Sequence, residues 1–320
     1  VYNTQSAAGV GVLTIAAKAA EGGSEEFVVS STEDLLNAIA SGKTDITLAY
    51  STTPYELGTV NVSTPLRLKG QISDGKYTPV VASFKLAGNV QSVILRNLDI
   101  DGTAADGAVF VEDKEAVADE SGYAVYADTV AIFDSYIHDG AARLYDNSGK
   151  VASCIQNMIF KGNHVDNYSL GNDMIDMRNG HYHKVIIAEN TFSNCARTFI
   201  RTDAGTEINY LTVLNNTFYK VCTNSSSKDN NGLFHVRGTA GSGMIDYRIV
   251  NNLFYSILID QDPENANGYP KFISKNSAAL KPNVIANNYY YNIEEREERS
   301  AYSWWTVNCS REEGIAGGGA

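Results

Sequence analysis

The chain has 320 residues, a formal net charge of −12 and only 6 prolines against 27 glycines. This length can bury a long core, and one extended domain is a better prediction than two globular ones. The acidic charge argues against nucleic acid as a partner. No apolar run reaches the roughly 18 residues of a membrane-spanning helix, so no transmembrane segment is expected.

The N-terminal part predicts a linker followed by a short helix. Residues 1–26 are rich in alanine and glycine and are interpreted as a linker or the remnant of an upstream segment, which leaves room for an adjacent domain there. A helix is predicted near 31–42, because Ser31 and Asp34 resemble a capping box and Gly42 suits a C-terminal stop. We expect this helix to cover the first open strand edge of the domain that follows.

From residue 97 onwards a short phrase recurs, of which Asn-Asn-Thr-Phe at 215–218 is one copy. One residue of each copy serves as a register mark. The marks are Asn97, Asp134, Asn163, Asn190, Asn216, Asn252 and Asn288. Their intervals are 37, 29, 27, 26, 36 and 36 residues, which is typical of one repeat with loops inserted in the longer copies. Apolar and polar residues alternate around each mark with the period of β-strands.

The repeat predicts an all-β fold, a right-handed parallel β-helix or solenoid over residues 27–300, with 301–320 as a tail or incomplete last coil. Like residues of successive coils would stack about 4.8 Å apart. The marked asparagines are therefore interpreted as architecture, in left-handed turns and hydrogen-bonded to one another along the axis. The four cysteines lack metal-binding spacing, and Cys195 is expected to be a buried free thiol.

Charged residues recur in the strand that follows each aromatic strand. The segments are 144–147, 175–178, 200–203 and 234–237. Aligning their first residues gives two columns that are expected to face outward. One column holds Tyr145, Asp176, Arg201 and His235, and the other holds Asn147, Arg178, Asp203 and Arg237.

Two interpretations of these columns stay open. They form cross-strand ion pairs, Asp176 with Arg201 and Arg178 with Asp203, or they line a groove suited to a linear polysaccharide. In the second case the candidate substrate-binding residues are Tyr145, Asn147 and Tyr182, the tyrosines as sugar-stacking faces. His181 and His183 flank Tyr182, but the spacing fixes no third metal ligand, and no metal site is assigned.

Four segments carry a resemblance to a known family: the predicted cap helix, Pro65–Gly70, Asn97–Gly102 and the Asn-Asn-Thr-Phe copies. Over roughly residues 30–293 the chain resembles pectate-lyase-like β-helix proteins. More narrowly, it resembles the uncharacterised secreted β-helix proteins of gut Bacteroidetes found near polysaccharide-utilisation genes. The resemblance implies a secreted or cell-surface protein, associated with the outer membrane, whose partner is a polysaccharide or oligosaccharide.

The resemblance also implies where and how such a protein would act. In that superfamily the first sheet of each coil commonly carries the active groove, which here corresponds to the strands with the charged columns. Lyases of this shape cleave uronic-acid polymers by β-elimination, with Ca²⁺ or cationic side chains neutralising the substrate carboxylate. The candidate catalytic residues are Arg178, Arg201, Arg237, Asp176, Asp203 and His235. The best candidates for Ca²⁺ ligands are Asp173, Asp176 and Asp203.

Three hypotheses follow. The first is a carbohydrate-active enzyme, with a polysaccharide lyase predicted ahead of a glycoside hydrolase, although neighbouring aspartates oppose a base role for Arg201. A hydrolase would need two carboxylates flanking the scissile bond. The second is a noncatalytic glycan-binding protein that uses the same groove. The third is a structural or adhesive surface solenoid in which the columns are only ion pairs.

Overall fold

The computed structural model describes residues 26–103, 108–141, 143–168, 173–223, 233–237, 244–257, 272–273 and 282–292. Within these residues the chain is all-β apart from one helix, as predicted. The predicted tail 301–320, and all but the last residue of the predicted linker 1–26, lie outside the described residues. No helix in the described part of the chain is long and apolar enough to cross a membrane.

The predicted cap helix is confirmed as α1 (Thr32–Ala40). The Ser31 hydroxyl accepts the backbone N–H of Asp34 at 3.1 Å and donates to its carboxylate at 2.7 Å, so the helix begins with the expected side-chain cap. Leu35 and Ala38 form its buried face. Gly42 follows the helix with a φ of 79°, which favours glycine.

Most strands have nine residues or fewer, and the two longest, β14 and β16, have 14 and 15. The first eleven are β1 (Val28–Val29), β2 (Asp45–Leu48), β3 (Tyr55–Val62), β4 (Leu66–Gly70), β5 (Thr78–Leu86), β6 (Gly88–Arg96), β7 (Leu98–Asp101), β8 (Phe110–Glu112), β9 (Val125–Phe133), β10 (Tyr136–Gly140) and β11 (Tyr145–Asn147). The others are β12 (Ser153–Lys161), β13 (His164–Tyr168), β14 (Ile175–Ala188), β15 (Thr191–Cys195), β16 (Ile200–Leu214), β17 (Thr217–Val221), β18 (Phe234–His235), β19 (Asp246–Val250), β20 (Leu253–Tyr255), β21 (Val284–Ala286) and β22 (Tyr289–Tyr291).

Every pairing between these strands is parallel, and each joins a strand to its equivalent one repeat away. We group the pairings into three series. The first series runs β3, β5, β8, β11, β14, β16 and β18. The second runs β1, β2, β4, β6, β9, β12, β14, β16, β19 and β21. The third runs β5, β7, β10, β13, β15, β17, β20 and β22. The segments around residues 190, 216 and 252 therefore lie in one stack, as the repeat predicted.

Aromatic side chains fill the core beneath the third series. Phe192, Phe218, Phe254 and Tyr290 form a continuous column, with successive ring centroids 5.3, 4.9 and 5.3 Å apart and the rings nearly parallel. All four are almost completely buried. Because Phe218 and Phe254 each lie between two other rings of the column, a single repeat cannot bury its aromatic residue alone.

The predicted asparagine ladder is confirmed for five of the marked residues. Asn163 donates its side-chain amide to Asn190 at 3.0 Å, and the same bond continues to Asn216, Asn252 and Asn288 at 2.9, 2.9 and 3.0 Å. All five side chains are buried. Each side-chain oxygen also accepts the backbone N–H of the preceding ladder residue, so the ladder satisfies polar groups that the core would otherwise leave unpaired.

The marks Asn97 and Asp134 are wrong by one residue. The register aligns Asn97 and Asp134 with Gly162, and it is Ser135 whose backbone N–H donates to Asn163 at 3.0 Å. The left-handed turn geometry also belongs to the residue before each ladder asparagine, with φ of 72° at Gly162. Tyr136 consequently faces outward and pairs with His164.

The cysteine prediction holds where the structure describes it. Cys195 is a buried free thiol, as is Cys154, whereas Cys309 lies outside the described residues. Burial raises the pKa of the Cys195 thiol to about 12, so it stays protonated at neutral pH.

Candidate functional site

The first series brings the predicted charged strands together, but with a corrected register in β11. Tyr145 pairs with Ile175, and Asp146 pairs with Asp176. Asp176 in turn pairs with Arg201, and Arg201 with His235, as predicted. The column therefore contains Asp146 where Tyr145 was predicted.

The prediction that Tyr145, Asn147 and Tyr182 face a groove is wrong, because all three side chains are at most 1% exposed. They surround the buried carboxyl of Glu112. The hydroxyls of Tyr145 and Tyr182 both donate to Glu112 Oε1, the second at 3.1 Å. Asn147 donates its amide to the Tyr182 hydroxyl at 3.1 Å. A sugar cannot stack on a ring that the core encloses, so these residues hold the interior together.

Burial raises the pKa of Glu112 to about 8, more than the hydrogen bonds from the two tyrosines lower it. The Glu112 carboxyl is consequently neutral at pH 7, which explains why an acidic residue is tolerated there without a cationic partner.

Outside the core, the first series carries a group of ion pairs that we call the arginine cluster. Its cationic members are Arg143, Lys150, Arg178, Arg197, Arg201 and Arg237, and its acidic members are Asp146, Asp173, Asp176 and Asp203. Asp176 binds Arg178 of its own strand, with N–O distances of 2.7 to 3.1 Å. Arg143 lies 3.3 Å from the same carboxylate.

The remaining pairs use turn residues as well as strand residues. Arg201 contacts Asp173 at 3.1 Å, and Arg197 lies 3.8 Å from the same aspartate. Asp203 lies 3.5 Å from Lys150 and 3.6 Å from Arg237. The predicted ion-pair partners were therefore wrong: Arg178 is paired with Asp176 of its own strand, and Arg201 is paired with Asp173 although Asp176 is its strand neighbour.

The cluster has six cations against four carboxylates, although the whole chain has a formal net charge of −12. Asp173 and Asp176 are buried, whereas the side chains of Arg178 and Arg201 are 19% and 18% exposed. The outward surface of the cluster is therefore mainly guanidinium. Such a surface can hold carboxylate or sulfate groups of a ligand through charge-assisted hydrogen bonds.

The environment of the predicted catalytic residues opposes proton transfer. The hydrogen bond to Asp176 raises the pKa of Arg178, so the guanidinium stays charged and cannot act as a base. Asp176 and His235 are 0% and 2% exposed and cannot reach a substrate. Asp203, Arg201 and Arg237 remain partly exposed.

Metal-ligand candidates do not converge in the described residues, which contain no group of three or more His, Cys, Asp or Glu side chains suited to a metal ion. The suggested Ca²⁺ ligands Asp173, Asp176 and Asp203 each lie against cationic side chains instead. His181 and His183 both hydrogen-bond to the side-chain oxygen of Asn209, at 2.6 and 2.9 Å.

A concave surface that was not predicted lies beside the third series. It is an open cleft of about 670 Å³, which we call the tyrosine cleft. The residues that define it are Tyr50, Lys76, Tyr77, Asp99, Tyr136 and His164. Asp99, Tyr136 and His164 are consecutive neighbours on the outer face of β7, β10 and β13.

His138 lies on the same outer face and holds Asp99. Its Nε2 is 2.9 Å from Asp99 Oδ1, and its Nδ1 is 2.8 Å from Asp139 Oδ2. Tyr136 stacks on the His138 ring with centroids 4.6 Å apart. Burial disfavours the charged imidazole, but the hydrogen bond to Asp139 and the charges of Asp99 and Asp139 outweigh it and raise the pKa of His138.

Sequence signals for the missed residues did exist. Each charged strand is preceded by a second buried residue, so the apolar pairs are Leu144-Tyr145, Met174-Ile175, Phe199-Ile200 and Leu233-Phe234. Aligning these apolar pairs instead of single residues would have placed Asp146 in the charged column. It would also have placed Arg143 and Asp173 at equivalent positions of successive repeats. Likewise, aligning Ser135 with Asn163 would have placed Asp99, Tyr136 and His164 in one outward column.

Comparisons with known proteins give no assignment: no family model matches the chain, and no curated protein matches it.

Proposed function

We propose that the chain is a right-handed parallel β-helix of the pectate-lyase-like kind, and that it binds an acidic polysaccharide along the arginine cluster. The parallel pairing of every strand with its equivalents one repeat away supports the solenoid. The resemblance described above supports a secreted or cell-surface protein of a gut Bacteroidetes type. The ligand class follows from the cluster itself.

The observation that carries the binding proposal is the local excess of positive charge. A chain with a net charge of −12 repels a polyanion as a whole, so binding of a polyanion requires a local patch of positive charge on the surface. The arginine cluster is such a surface. Its members belong to at least three successive repeats, so their outward edges follow the direction in which a linear polymer would lie.

Binding without cleavage is the form we propose. An eliminating enzyme needs a deprotonated base that can accept the substrate proton. Arg178 is held in its protonated, charged form by Asp176 and cannot take this role. A hydrolase needs two accessible carboxyl groups on either side of the scissile bond. Asp176 and Asp173 are buried beneath arginines, which leaves Asp203 and Asp146 as the partly exposed acids of the cluster.

The experiment is a titration of the full chain with polygalacturonate, an acidic polymer, at two salt concentrations. We expect binding that weakens with salt, because charge neutralisation between exposed groups is screened. Arg201→Ala should weaken binding about tenfold, equivalent to about 1.4 kcal/mol. Arg67→Ala is the matched control, since Arg67 is also paired with an aspartate, Asp45 at 3.2 Å, but lies on the second series.

Three results would contradict the proposal. Equal binding by the Arg201→Ala and Arg67→Ala variants would show that the cluster is not the binding surface. Loss of stability in Arg201→Ala with unchanged affinity would leave the cluster as a purely structural set of ion pairs. Release of an unsaturated uronate product, detected by its ultraviolet absorbance, would show that the chain cleaves the polymer.

A further inference from the structure

The tyrosine cleft differs in chemistry from the arginine cluster. Three tyrosines contribute to its lining, Tyr50, Tyr77 and Tyr136, together with one carboxylate, Asp99. Small-molecule sites in proteins combine a concave apolar and aromatic wall with a few placed polar groups. The cleft has both parts. Its lining comes from strands of the third series and from residues 50–52 and 75–77, and no member of the arginine cluster belongs to it.

Asp99 is positioned before any ligand arrives. His138 donates to its Oδ1 at 2.9 Å and is itself fixed by Asp139 at 2.8 Å and by the stacked ring of Tyr136. Among the described residues no hydrogen bond reaches Asp99 Oδ2, and the side chain is 34% exposed. Oδ2 is therefore an unused acceptor on a side chain that lines the cleft and has little freedom left to lose on binding.

The surrounding charges oppose an anionic ligand and give a compact cation little to bind. Asp99, Asp101, Asp139 and Asp166 lie along the outer face of this series, so an anionic ligand would be repelled. A compact cation would meet Lys76 in the lining and the imidazole of His138, whose raised pKa favours its charged form. What remains is a neutral ligand that offers hydroxyl donors to Asp99 and an apolar face to the tyrosine rings.

A neutral sugar ring has this combination, because its hydroxyls lie around the edge and its C–H groups form an apolar face. Tyrosine combines a flat apolar ring with a polar tip, which suits a ligand of this kind. Tyr50 and Tyr77 stack on no other aromatic ring among the described residues, so their faces are not already used. We infer that the tyrosine cleft is a binding site for a neutral saccharide.

This inference does not depend on the proposed binding of acidic polymers, since the two sites share no residue. The test is calorimetric titration of the full chain with a panel of neutral hexasaccharides, namely cellohexaose, maltohexaose and mannohexaose, with oligogalacturonate as the acidic comparison. At least one neutral hexasaccharide should bind. Tyr77→Ala should weaken that binding about tenfold, and Asp99→Asn should weaken it as well.

Matched variants separate the two sites. Tyr289→Ala removes an exposed tyrosine of the same series outside the cleft, and Arg201→Ala removes a residue of the arginine cluster; both should leave the neutral affinity unchanged. Tyr77→Phe keeps the ring and should retain most of the affinity, which also covers the case in which Tyr77→Ala fails to fold.

The inference is overturned if no neutral hexasaccharide of the panel binds, or if Tyr289→Ala weakens binding as much as Tyr77→Ala. It is also overturned if neutral binding is lost in Arg201→Ala and kept in Tyr77→Ala. Failure of oligogalacturonate to bind would instead refute the proposed function and leave this site intact.

Discussion

Replacement of Glu112 by glutamine should make the chain more resistant to unfolding at high pH. Glu112 is a carboxyl group in the core whose Oε1 accepts the hydroxyls of Tyr145 and Tyr182. Glutamine has the same shape and keeps an oxygen for these two donors, but it cannot ionise. The variant therefore removes one titration from the interior while preserving the contacts around it.

The magnitude follows from the pKa of Glu112, which burial raises from an ordinary 4.5 to about 8. Because the folded state holds the proton more tightly than the unfolded state, the contribution of Glu112 to stability is complete below about pH 4.5 and is lost as the pH rises towards 8. Each unit of pKa difference corresponds to about 1.36 kcal/mol. Between pH 5 and pH 9 the native chain should lose about 4 kcal/mol of unfolding free energy through this single group.

The assay is equilibrium unfolding in guanidinium chloride, followed by circular dichroism at pH 5, 7 and 9. At pH 5 the variant and the native chain should agree within about 1 kcal/mol, and at pH 9 the variant should be the more stable by several kcal/mol. Glu56→Gln, which changes an exposed glutamate on β3, is the control and should follow the native chain at every pH. A difference between Glu112→Gln and the native chain that is the same at pH 5 and pH 9 would refute the reasoning.

Three further predictions concern the ladder, the packing and the cleft. Asn216→Ala removes the side chain that bonds both Asn190 and the next ladder residue, and should lower the unfolding free energy by about 3 kcal/mol in denaturant melts. Gly140→Ala should cost about 2 kcal/mol in the same melts, because the added methyl group would overlap the buried ring of Tyr168. His138→Gln should destabilise the chain more at about pH 5.5 than at about pH 8.5. The pKa of His138 is raised in the folded state, so protonated His138 stabilises the fold at a pH below the ordinary histidine pKa, and this contribution is lost as the pH rises.

The first two of these predictions have a control on the same kind of residue, and the third has a direct measurement. Asn157→Ala changes an asparagine outside the ladder and should be close to neutral. At Gly149→Ala the nearest atom to the added methyl group is Lys114 Cβ, at 3.2 Å, so this change should be milder than Gly140→Ala. A direct titration of the His138 ring by nuclear magnetic resonance would contradict the third prediction if its pKa fell below 6.5.

The strand stacking could be predicted from the sequence because the same physical need recurs in every repeat. An asparagine in each later copy must bond its neighbours, and it recurs from Asn163 to Asn288. The aromatic residue two positions after it recurs from Phe192 to Tyr290, because each ring packs on the ring of the next copy. The cap helix was equally accessible, since its cap uses only local residues. These features depend on sequence distance and periodicity alone.

The register errors arose where a residue of a different type occupies a position equivalent to the repeated one. Ser135 replaces asparagine in the ladder because its backbone N–H donates to Asn163 and its hydroxyl accepts the Leu98 N–H at 3.2 Å. Tyr145 replaces an aliphatic residue in the core because Glu112 accepts its hydroxyl. A one-residue slip moves a side chain to the other face of a strand, so two such substitutions misplaced the predicted sugar-stacking residues and concealed the cleft.

The arginine cluster joins the two interpretations that the sequence left open, ion pairs and a groove. The buried carboxylates of Asp173 and Asp176 hold Arg201 and Arg178 in fixed, charged positions. A guanidinium already held by one carboxylate loses less side-chain entropy when it binds another anion, and it still has donors in its planar fork. The ion pairs are thus a support for anion binding and not an alternative to it. A set of purely structural ion pairs would not require more cations than acids, and this cluster has more.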